Sequence, residues 1–186
     1  MKRIGVLAVQ GAFAEHLERV TAFGAQGFEI RQCRDLPDSF DGLILPGGES
    51  TGIKKLLHEL GLFDPLLRGI REGLPVLGTC AGMILLARAI DSGEAPCFGT
   101  LDVTVRRNAY GRQLGSFRCT ETFAGHRIEM PFIRAPYVTL AAAQVQVLAE
   151  HKGRIVAVRE GHQLACAFHP ELTEDPTVYR YFWEML

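Results

Sequence analysis

One cysteine of this chain lies at a turn between a predicted strand and a predicted helix, where a nucleophile would be expected. Cys80 follows the apolar segment 75–78 and precedes an apolar helical run. The small residues Gly78, Ala81 and Gly82 let the backbone bend sharply and let other groups approach the sulfur. A helix N-terminus favours a thiolate, so the segment is typical of a nucleophile elbow with sulfur replacing a serine hydroxyl. Considered alone, Cys80 is better explained as a packed structural thiol, because free cysteines are among the most buried residues.

A histidine and a carboxylate near the C-terminus supply the other parts of a catalytic triad. His169 and Glu171 follow the last predicted strand, two positions apart, and both face one site if the backbone there stays extended. Sites in open parallel sheets form at the carboxyl ends of strands, so we expect both residues to meet Cys80. Considered alone, His169 is better explained as a structural histidine. Considered alone, Glu171 is explained equally well as a capping or solvated carboxylate. Together the three residues predict a Cys–His–Glu triad. The remaining histidines are interpreted as structural or solvated, at positions 16, 58, 126, 151 and 162.

The elements that must position these residues alternate between strand and helix through the first half of the chain. Apolar runs predict strands, and apolar residues at helical spacing predict the helices between them. This alternation is typical of a parallel sheet covered on both faces. We expect Ser50 or Thr51 to cap the second helix. The predicted strands are 4–9, 28–32, 42–45 and 75–78, and the predicted helices begin near residues 13, 50 and 62.

The second half changes to short, alternating strands. Turn residues separate them, and a helix begins near Pro176. We therefore predict an α/β fold with three layers, a flavodoxin-like, mostly parallel central sheet with flanking helices, and inserted antiparallel strands. One domain is expected to span residues 1–186, since no linker or repeat divides the chain. The predicted strands of this half are 101–105, 113–122, 126–134, 145–149, 154–159 and 163–168.

Net charge, the length of the apolar runs and the spacing of the cysteines argue against several classes of partner and site. The net charge of −1 gives no reason to expect nucleic acid or an anionic membrane as a partner. No apolar run approaches the roughly 20 residues that cross a bilayer. The five cysteines are scattered, without Cys-x-x-Cys spacing, which argues against a zinc site or a disulfide framework. Reduced thiols fit a cytoplasmic protein best.

Six motifs, in order along essentially the whole chain, carry a resemblance to a known family. They resemble class I (triad-type) glutamine amidotransferases and, more narrowly, the glutaminase subunits of pyridoxal 5′-phosphate synthase. One departure is Gly52, where that family usually has Thr, Ser or Ala. The motifs are Val9-Gln-Gly-Ala, Leu45-Pro-Gly-Gly-Glu-Ser-Thr51, Gly78-Thr-Cys-Ala-Gly-Met-Ile-Leu-Leu86, Arg107-Asn-Ala-Tyr-Gly-Arg-Gln113, Phe132-Ile-Arg-Ala-Pro136 and Phe168-His-Pro-Glu-Leu-Thr-Glu-Asp175.

The resemblance implies hydrolysis of glutamine through a thioester on Cys80. It assigns the base to His169 and the orienting carboxylate to Glu171. It further implies an oxyanion hole of backbone N–H groups at Gly48 and Ala81, and neither a metal nor an organic cofactor for this half-reaction. The glutamine-binding residues that it implies are Gly48, Glu49, Ser50, Arg107, Ile133 and Arg134.

The resemblance also implies a partner that takes up the ammonia. In this family the partner is a (β/α)₈-barrel synthase subunit in a large hetero-oligomer, and its docking activates the glutaminase. We hypothesise that Gln10 and Gly11, next to the predicted oxyanion turn, couple docking to activity. Three alternatives stay open: a triad glutaminase of another pathway such as histidine biosynthesis, a cysteine peptidase or stress protein of the same fold, and a catalytically silent binding subunit.

Overall fold

Strands and helices alternate through the first half of the chain in the computed structural model, which describes residues 1–108 and 115–186. The helices are α1 (Phe13–Ala22), α2 (Ser50–Glu59), α3 (Phe63–Arg71), α4 (Ala81–Leu86) and α5 (Thr177–Trp183). The strands are β1 (Arg3–Leu7), β2 (Gln26–Ile30), β3 (Gly42–Leu45), β4 (Val76–Thr79), β5 (Ala87–Ile90), β6 (Leu101–Arg106), β7 (Ser116–Phe123), β8 (His126–Ile133), β9 (Tyr137–Ala141), β10 (Gln146–His151), β11 (Arg154–Glu160) and β12 (Gln163–Cys166).

A parallel block forms one half of the central sheet, in the order β2-β1-β3-β4-β12. The strands β3 and β4 are buried along their whole length, as their continuous apolar sequences require. Because the strands of this block are parallel, their carboxyl ends lie at one edge. That edge carries the segments that follow β1, β3, β4 and β12.

Antiparallel strands extend this sheet beyond β12. There β11 pairs with β12, β9 and β10, and β6 pairs with β9, while β7 and β8 form a separate hairpin. The predicted class is confirmed: an α/β fold with a mostly parallel sheet, flanking helices and inserted antiparallel strands. The sequence analysis did not predict β5 or β9. The first two residues of the predicted strand 113–122 lie outside the described residues.

Helices α1 and α2 follow the carboxyl ends of β1 and β3. In α1 the buried side chains are His16 and Val20, four positions apart on one face. The cap of α2 is Glu49, whose carboxylate accepts hydrogen bonds from the N–H groups of Thr51 and Gly52. The predicted cap at Ser50 or Thr51 is therefore wrong, because a carboxylate placed just before the helix satisfies two of its unpaired N–H groups.

No helix in the described parts of the chain is both long enough and apolar enough to span a membrane.

Candidate active site

Cys80 forms the turn between β4 and α4. Its φ of 50° lies in the left-handed region, which is rare for residues other than glycine and is typical of strained positions at functional sites. The backbone N–H of Cys80 donates to the carbonyl of Cys166 at 2.8 Å, which ties the turn to the end of β12. The side chain is largely buried, with its sulfur 3.8 Å from the carbonyl oxygen of Ile133. This geometry is that of the predicted nucleophile elbow.

His169 and Glu171 lie beside this turn, just after β12. The backbone N–H of His169 donates to the carbonyl of Pro131 at 2.8 Å, and its Nδ1 lies 2.6 Å from Oε1 of Glu171. The backbone between them is not extended, yet the two side chains still meet. Residues Pro170–Leu172 form one turn of 3₁₀ helix, which folds the carboxylate back onto the imidazole.

The positive charge of His169 and the negative charge of Glu171 stabilise each other. Burial opposes a charge on His169, but hydrogen bonds with Cys80 and Glu171, together with the negative charges of both, raise its pKa to about 10. Burial likewise opposes ionisation of Glu171, yet the neighbouring imidazoles of His16 and His169 hold its pKa below the ordinary value. An imidazolium between a sulfur and a carboxylate is therefore the favoured state at neutral pH.

A pocket of about 450 Å³ opens in front of Cys80 and His169. This volume is in the usual range for sites that bind small molecules. Glu171 does not line it, so the carboxylate contacts the imidazole from behind. Ala81 is buried at the start of α4, next to the sulfur-bearing residue. The residues that line the pocket are Gly11, Ala12, Gly47, Gly48, Glu49, Ser50, Cys80, Ile84, Arg107, Asn108, Ile133, Arg134 and His169.

Glycine at position 47 is required by the close approach of His169 and Cys80. A Cβ atom there would lie 2.6 Å from Cε1 of His169 and 3.4 Å from Cβ of Cys80. The segment after β1 braces this turn, since the N–H of Ala12 donates to the carbonyl of Gly47 at 3.3 Å. Gln10 adds a second contact, because its Oε1 accepts the N–H of Glu49 at 2.9 Å. The two segments therefore hold each other in place beside the pocket.

Carboxylate and guanidinium groups also line the pocket. Arg107 contacts Glu94, with 2.5 Å between Nη1 and Oε2, and lies 3.7 Å from a carboxylate oxygen of Glu49. Arg134, with a φ of 46°, lines the same pocket. Both signs of charge are thus available to an amino-acid zwitterion. Residues 109–113, which complete the motif that begins at Arg107, lie outside the described residues.

Comparison with known proteins identifies the family. Residues 6–186 match the SNO glutamine amidotransferase family. The chain belongs to this family. A solved structure described as a glutamine amidotransferase superposes with a TM-score of 0.92 and 44% identity, covering 98% of this chain and 97% of that one. The likeness therefore extends over nearly the whole fold.

Two relatives of this amidotransferase carry a more specific name. A protein from Methanocorpusculum labreanum, called pyridoxal 5′-phosphate synthase subunit PdxT, is 57% identical over 185 residues, covering 99% of this chain and 97% of the relative. A protein of the same name from Bifidobacterium longum is 50% identical over 185 residues, covering 96% and 97%.

One residue of the amidotransferase site was not singled out by the sequence analysis. His16, interpreted there as structural or solvated, is fully buried on α1, with Nε2 3.1 Å from Oγ1 of Thr79 and 3.5 Å from Oε2 of Glu171. The sequence does carry a signal for His16. It lies four positions before Val20, on the same face of a helix that begins at the carboxyl end of β1.

Proposed function

We propose that this amidotransferase is the glutaminase subunit of pyridoxal 5′-phosphate synthase, hydrolysing L-glutamine to L-glutamate and ammonia. The observation that carries the proposal is the imidazole of His169, which is held by Glu171 at 2.6 Å through Nδ1 and lines the same pocket as Cys80. The names of the relatives from M. labreanum and B. longum support the assignment to this synthase.

The first half of the reaction transfers the glutamyl group to sulfur. The thiolate of Cys80 attacks the side-chain amide carbon of glutamine and forms a tetrahedral intermediate. His169 gives its Nε2 proton to the amide nitrogen, the carbon–nitrogen bond breaks, and ammonia leaves a glutamyl thioester on Cys80. Glu171 accepts the Nδ1 proton of the ring in a hydrogen bond and so keeps the other nitrogen directed at the sulfur.

The second half returns the enzyme to its starting state. His169, now neutral, takes a proton from water, whose oxygen attacks the thioester carbonyl carbon. The carbon–sulfur bond breaks, L-glutamate forms, and Cys80 is again a thiolate beside an imidazolium. The raised pKa of His169 favours this pair as the resting state.

Backbone and charged groups around the pocket bind the substrate in this proposal. The N–H groups of Gly48 and Ala81 stabilise the oxyanion of the tetrahedral intermediates. Glu49 receives the α-ammonium group, and the guanidinium groups of Arg107 and Arg134 receive the α-carboxylate. Ser50 and Ile133 complete the wall beside them.

Ammonia released in water would be diluted and protonated, so a biosynthetic glutaminase needs a partner that receives it. We infer that the partner is the synthase subunit, a (β/α)₈ barrel, in a large hetero-oligomer in which this chain acts as one domain. Gln10 and Gly11 lie on the segment that braces the turn at Gly47, which supports a role for them in coupling docking to activity.

Ammonia release from glutamine, measured with and without the synthase subunit, tests the function. We expect release from the wild-type protein in the presence of the partner, and none above background from Cys80→Ala. Cys97→Ala is the matched control, since burial raises the pKa of that thiol to about 11 and it lies outside the pocket. Release that does not depend on Cys80 would contradict the proposed nucleophile, and no release at all would favour a silent binding subunit.

A further inference from the structure

We propose that His16 is a positioning residue for the hydrolysis: its imidazole, held in one tautomer by Tyr179, fixes the carboxylate of Glu171 against His169. The inference deepens the proposed glutaminase function and rests on it. It extends the triad by two buried side chains that no part of the mechanism above uses.

The free oxygen of Glu171 is the first observation. Oε1 is hydrogen-bonded to Nδ1 of His169 at 2.6 Å. Oε2 is buried and has no hydrogen-bond partner among the described residues. A buried carboxylate oxygen without a donor is costly, and it leaves the carboxylate able to rotate away from the imidazole. The side chain that faces it is His16, whose Nε2 lies 3.5 Å from Oε2. His16 is therefore placed to hold the second oxygen.

The contact with Tyr179 decides which nitrogen of His16 carries the proton. The hydroxyl of Tyr179 lies 2.7 Å from Nδ1 of His16, and both side chains are buried. A phenol in this setting stays protonated, because burial and the nearby charge of Glu171 raise its pKa well above the ordinary value. Its proton is donated to Nδ1, so the ring proton of a neutral His16 is on Nε2.

The Nε2 proton then faces two acceptors. Oγ1 of Thr79 lies 3.1 Å away and Oε2 of Glu171 3.5 Å away, so the N–H dipole is shared between the residue before the nucleophile and the orienting carboxylate. The opposite tautomer would turn a lone pair toward the carboxylate, which is repulsive. The hydroxyl of Tyr179 thus selects the tautomer that stabilises the anion.

Burial also keeps His16 neutral. It lowers the pKa of His16, and the positive charge of His169 adds to this, while Glu171 and Glu15 oppose it. Arg19, whose guanidinium binds Glu174, and the buried thiol of Cys166 on β12 also lie beside this network. A neutral His16 stabilises the anion of Glu171 without placing a second full positive charge beside the imidazolium of His169.

Loss of this support should lower the pKa of His169 as well as the stability of the fold. A less firmly held carboxylate stabilises the imidazolium less, so His169 loses its proton at lower pH. Tyr179→Phe removes only one oxygen and is the principal variant. Tyr181→Phe is its matched control, because that hydroxyl lies on the same helix and contacts Arg159 instead. His16→Leu removes the whole imidazole, and His16→Gln restores an N–H donor near the position of Nε2.

The experiment is the pH profile of glutaminase activity in the presence of the synthase subunit. For Tyr179→Phe we expect kcat to fall about tenfold, the size of one lost hydrogen bond to a charged network, with KM changed less than about twofold. The basic limb of the profile should move to lower pH. His16→Leu should show a larger effect, His16→Gln should recover part of it, and Tyr181→Phe should match wild type.

Two results would overturn the inference. One is a basic limb that stays at the wild-type pH in both Tyr179→Phe and His16→Leu. The other is a lower melting temperature in those variants with kcat and the limb unchanged, which would make the network purely structural. Either result leaves the proposed function standing as long as ammonia release still depends on Cys80. Release that is independent of Cys80 would instead remove the proposed function.

Discussion

Nδ1 of His169 lies 2.6 Å from Oε1 of Glu171, although only Pro170 separates the two residues in the chain. The single 3₁₀ turn over Pro170–Leu172 creates this contact by folding the carboxylate under the ring. Glu171 is only 2% exposed, and it is separated from the pocket by the imidazole. Its position suits a carboxylate that orients and stabilises the imidazolium and does not contact substrate.

Glu171→Gln tests this division of roles. An amide cannot stabilise the imidazolium by charge, and its N–H₂ group would compete with the Nδ1 proton, so kcat should fall by about 100-fold with KM little changed. Steady-state ammonia release measures both constants. Glu174→Gln is the control, since that exposed carboxylate pairs with Arg19 outside the pocket. A kcat within about twofold of wild type for Glu171→Gln would remove the carboxylate from the triad.

The raised pKa of His169 makes stability depend on pH. The folded protein holds this proton up to about pH 10, against an ordinary imidazole value of 6.5. A group whose pKa is raised by folding contributes fully below its unfolded pKa and loses that contribution as the pH rises through its folded pKa. The free-energy advantage of wild type over His169→Asn should therefore shrink between pH 6.5 and about 10.

Urea unfolding of both proteins across this window measures the difference. Glu171 adds no slope there, because its pKa is held below the ordinary value and it stays ionised. A difference that is constant, or that grows with pH, would contradict the raised pKa of His169.

The sheet and the elbow could be predicted because their signals are local. A continuous apolar run predicts a strand buried on both faces, and small residues around Cys80 indicate a sharp turn wherever the chain folds. The match of β4, α4 and β12 to the expected positions follows from this. Short strands such as β5 carry too few residues for a period to stand out.

The contacts behind the triad could not be predicted, because they depend on residues far apart in the chain. His16 meets Glu171 and Tyr179 only after α1 and α5 pack near the carboxyl edge of the sheet. The cap of α2 was misassigned for a related reason. Ser is a favoured cap residue, but the carboxylate at position 49 reaches two N–H groups and takes the cap position instead.

Gly47→Ala should lower glutaminase activity more than it lowers the stability of the fold. The added methyl group would lie 2.6 Å from Cε1 of His169, so the imidazole must move away from Cys80. Small displacements of reacting groups are costly, and we expect kcat to fall by about 100-fold. Gly69→Ala is the control, because its added Cβ would have only an ordinary 3.4 Å contact with Leu74. Wild-type kcat in Gly47→Ala would show that the ring tolerates this methyl group.

Gln10→Ala tests the coupling to the synthase partner. Its Oε1 accepts the N–H of Glu49 at 2.9 Å and so helps to hold the turn at Gly48 that is proposed to stabilise the oxyanion. Removing it should lower partner-stimulated turnover by about tenfold, the effect of a misaligned oxyanion donor. Gln26→Ala, at an exposed position of β2, should have no effect. If stimulated turnover of Gln10→Ala equals that of wild type, this residue has no part in coupling.

Gly52→Ala should raise stability and disturb glutamine binding. Gly52 lies in the first turn of α2, where alanine is favoured by about 0.5–1 kcal/mol. The added Cβ would lie 3.0 Å from Oε2 of Glu49, the oxygen that now accepts the N–H of Gly52 at 2.6 Å.

The carboxylate of Glu49 must therefore shift by a few tenths of an ångström, while its other oxygen keeps the N–H of Thr51. We expect a higher midpoint in thermal unfolding and a KM for glutamine that rises by about two- to fivefold, with kcat nearly unchanged, because Glu49 is proposed to bind the α-ammonium group. Gly69→Ala separates the two effects, since it adds a helical alanine far from the pocket and should raise stability alone. An unchanged KM in Gly52→Ala, together with the higher midpoint, would show that Glu49 serves as the cap of α2 and not as a substrate ligand.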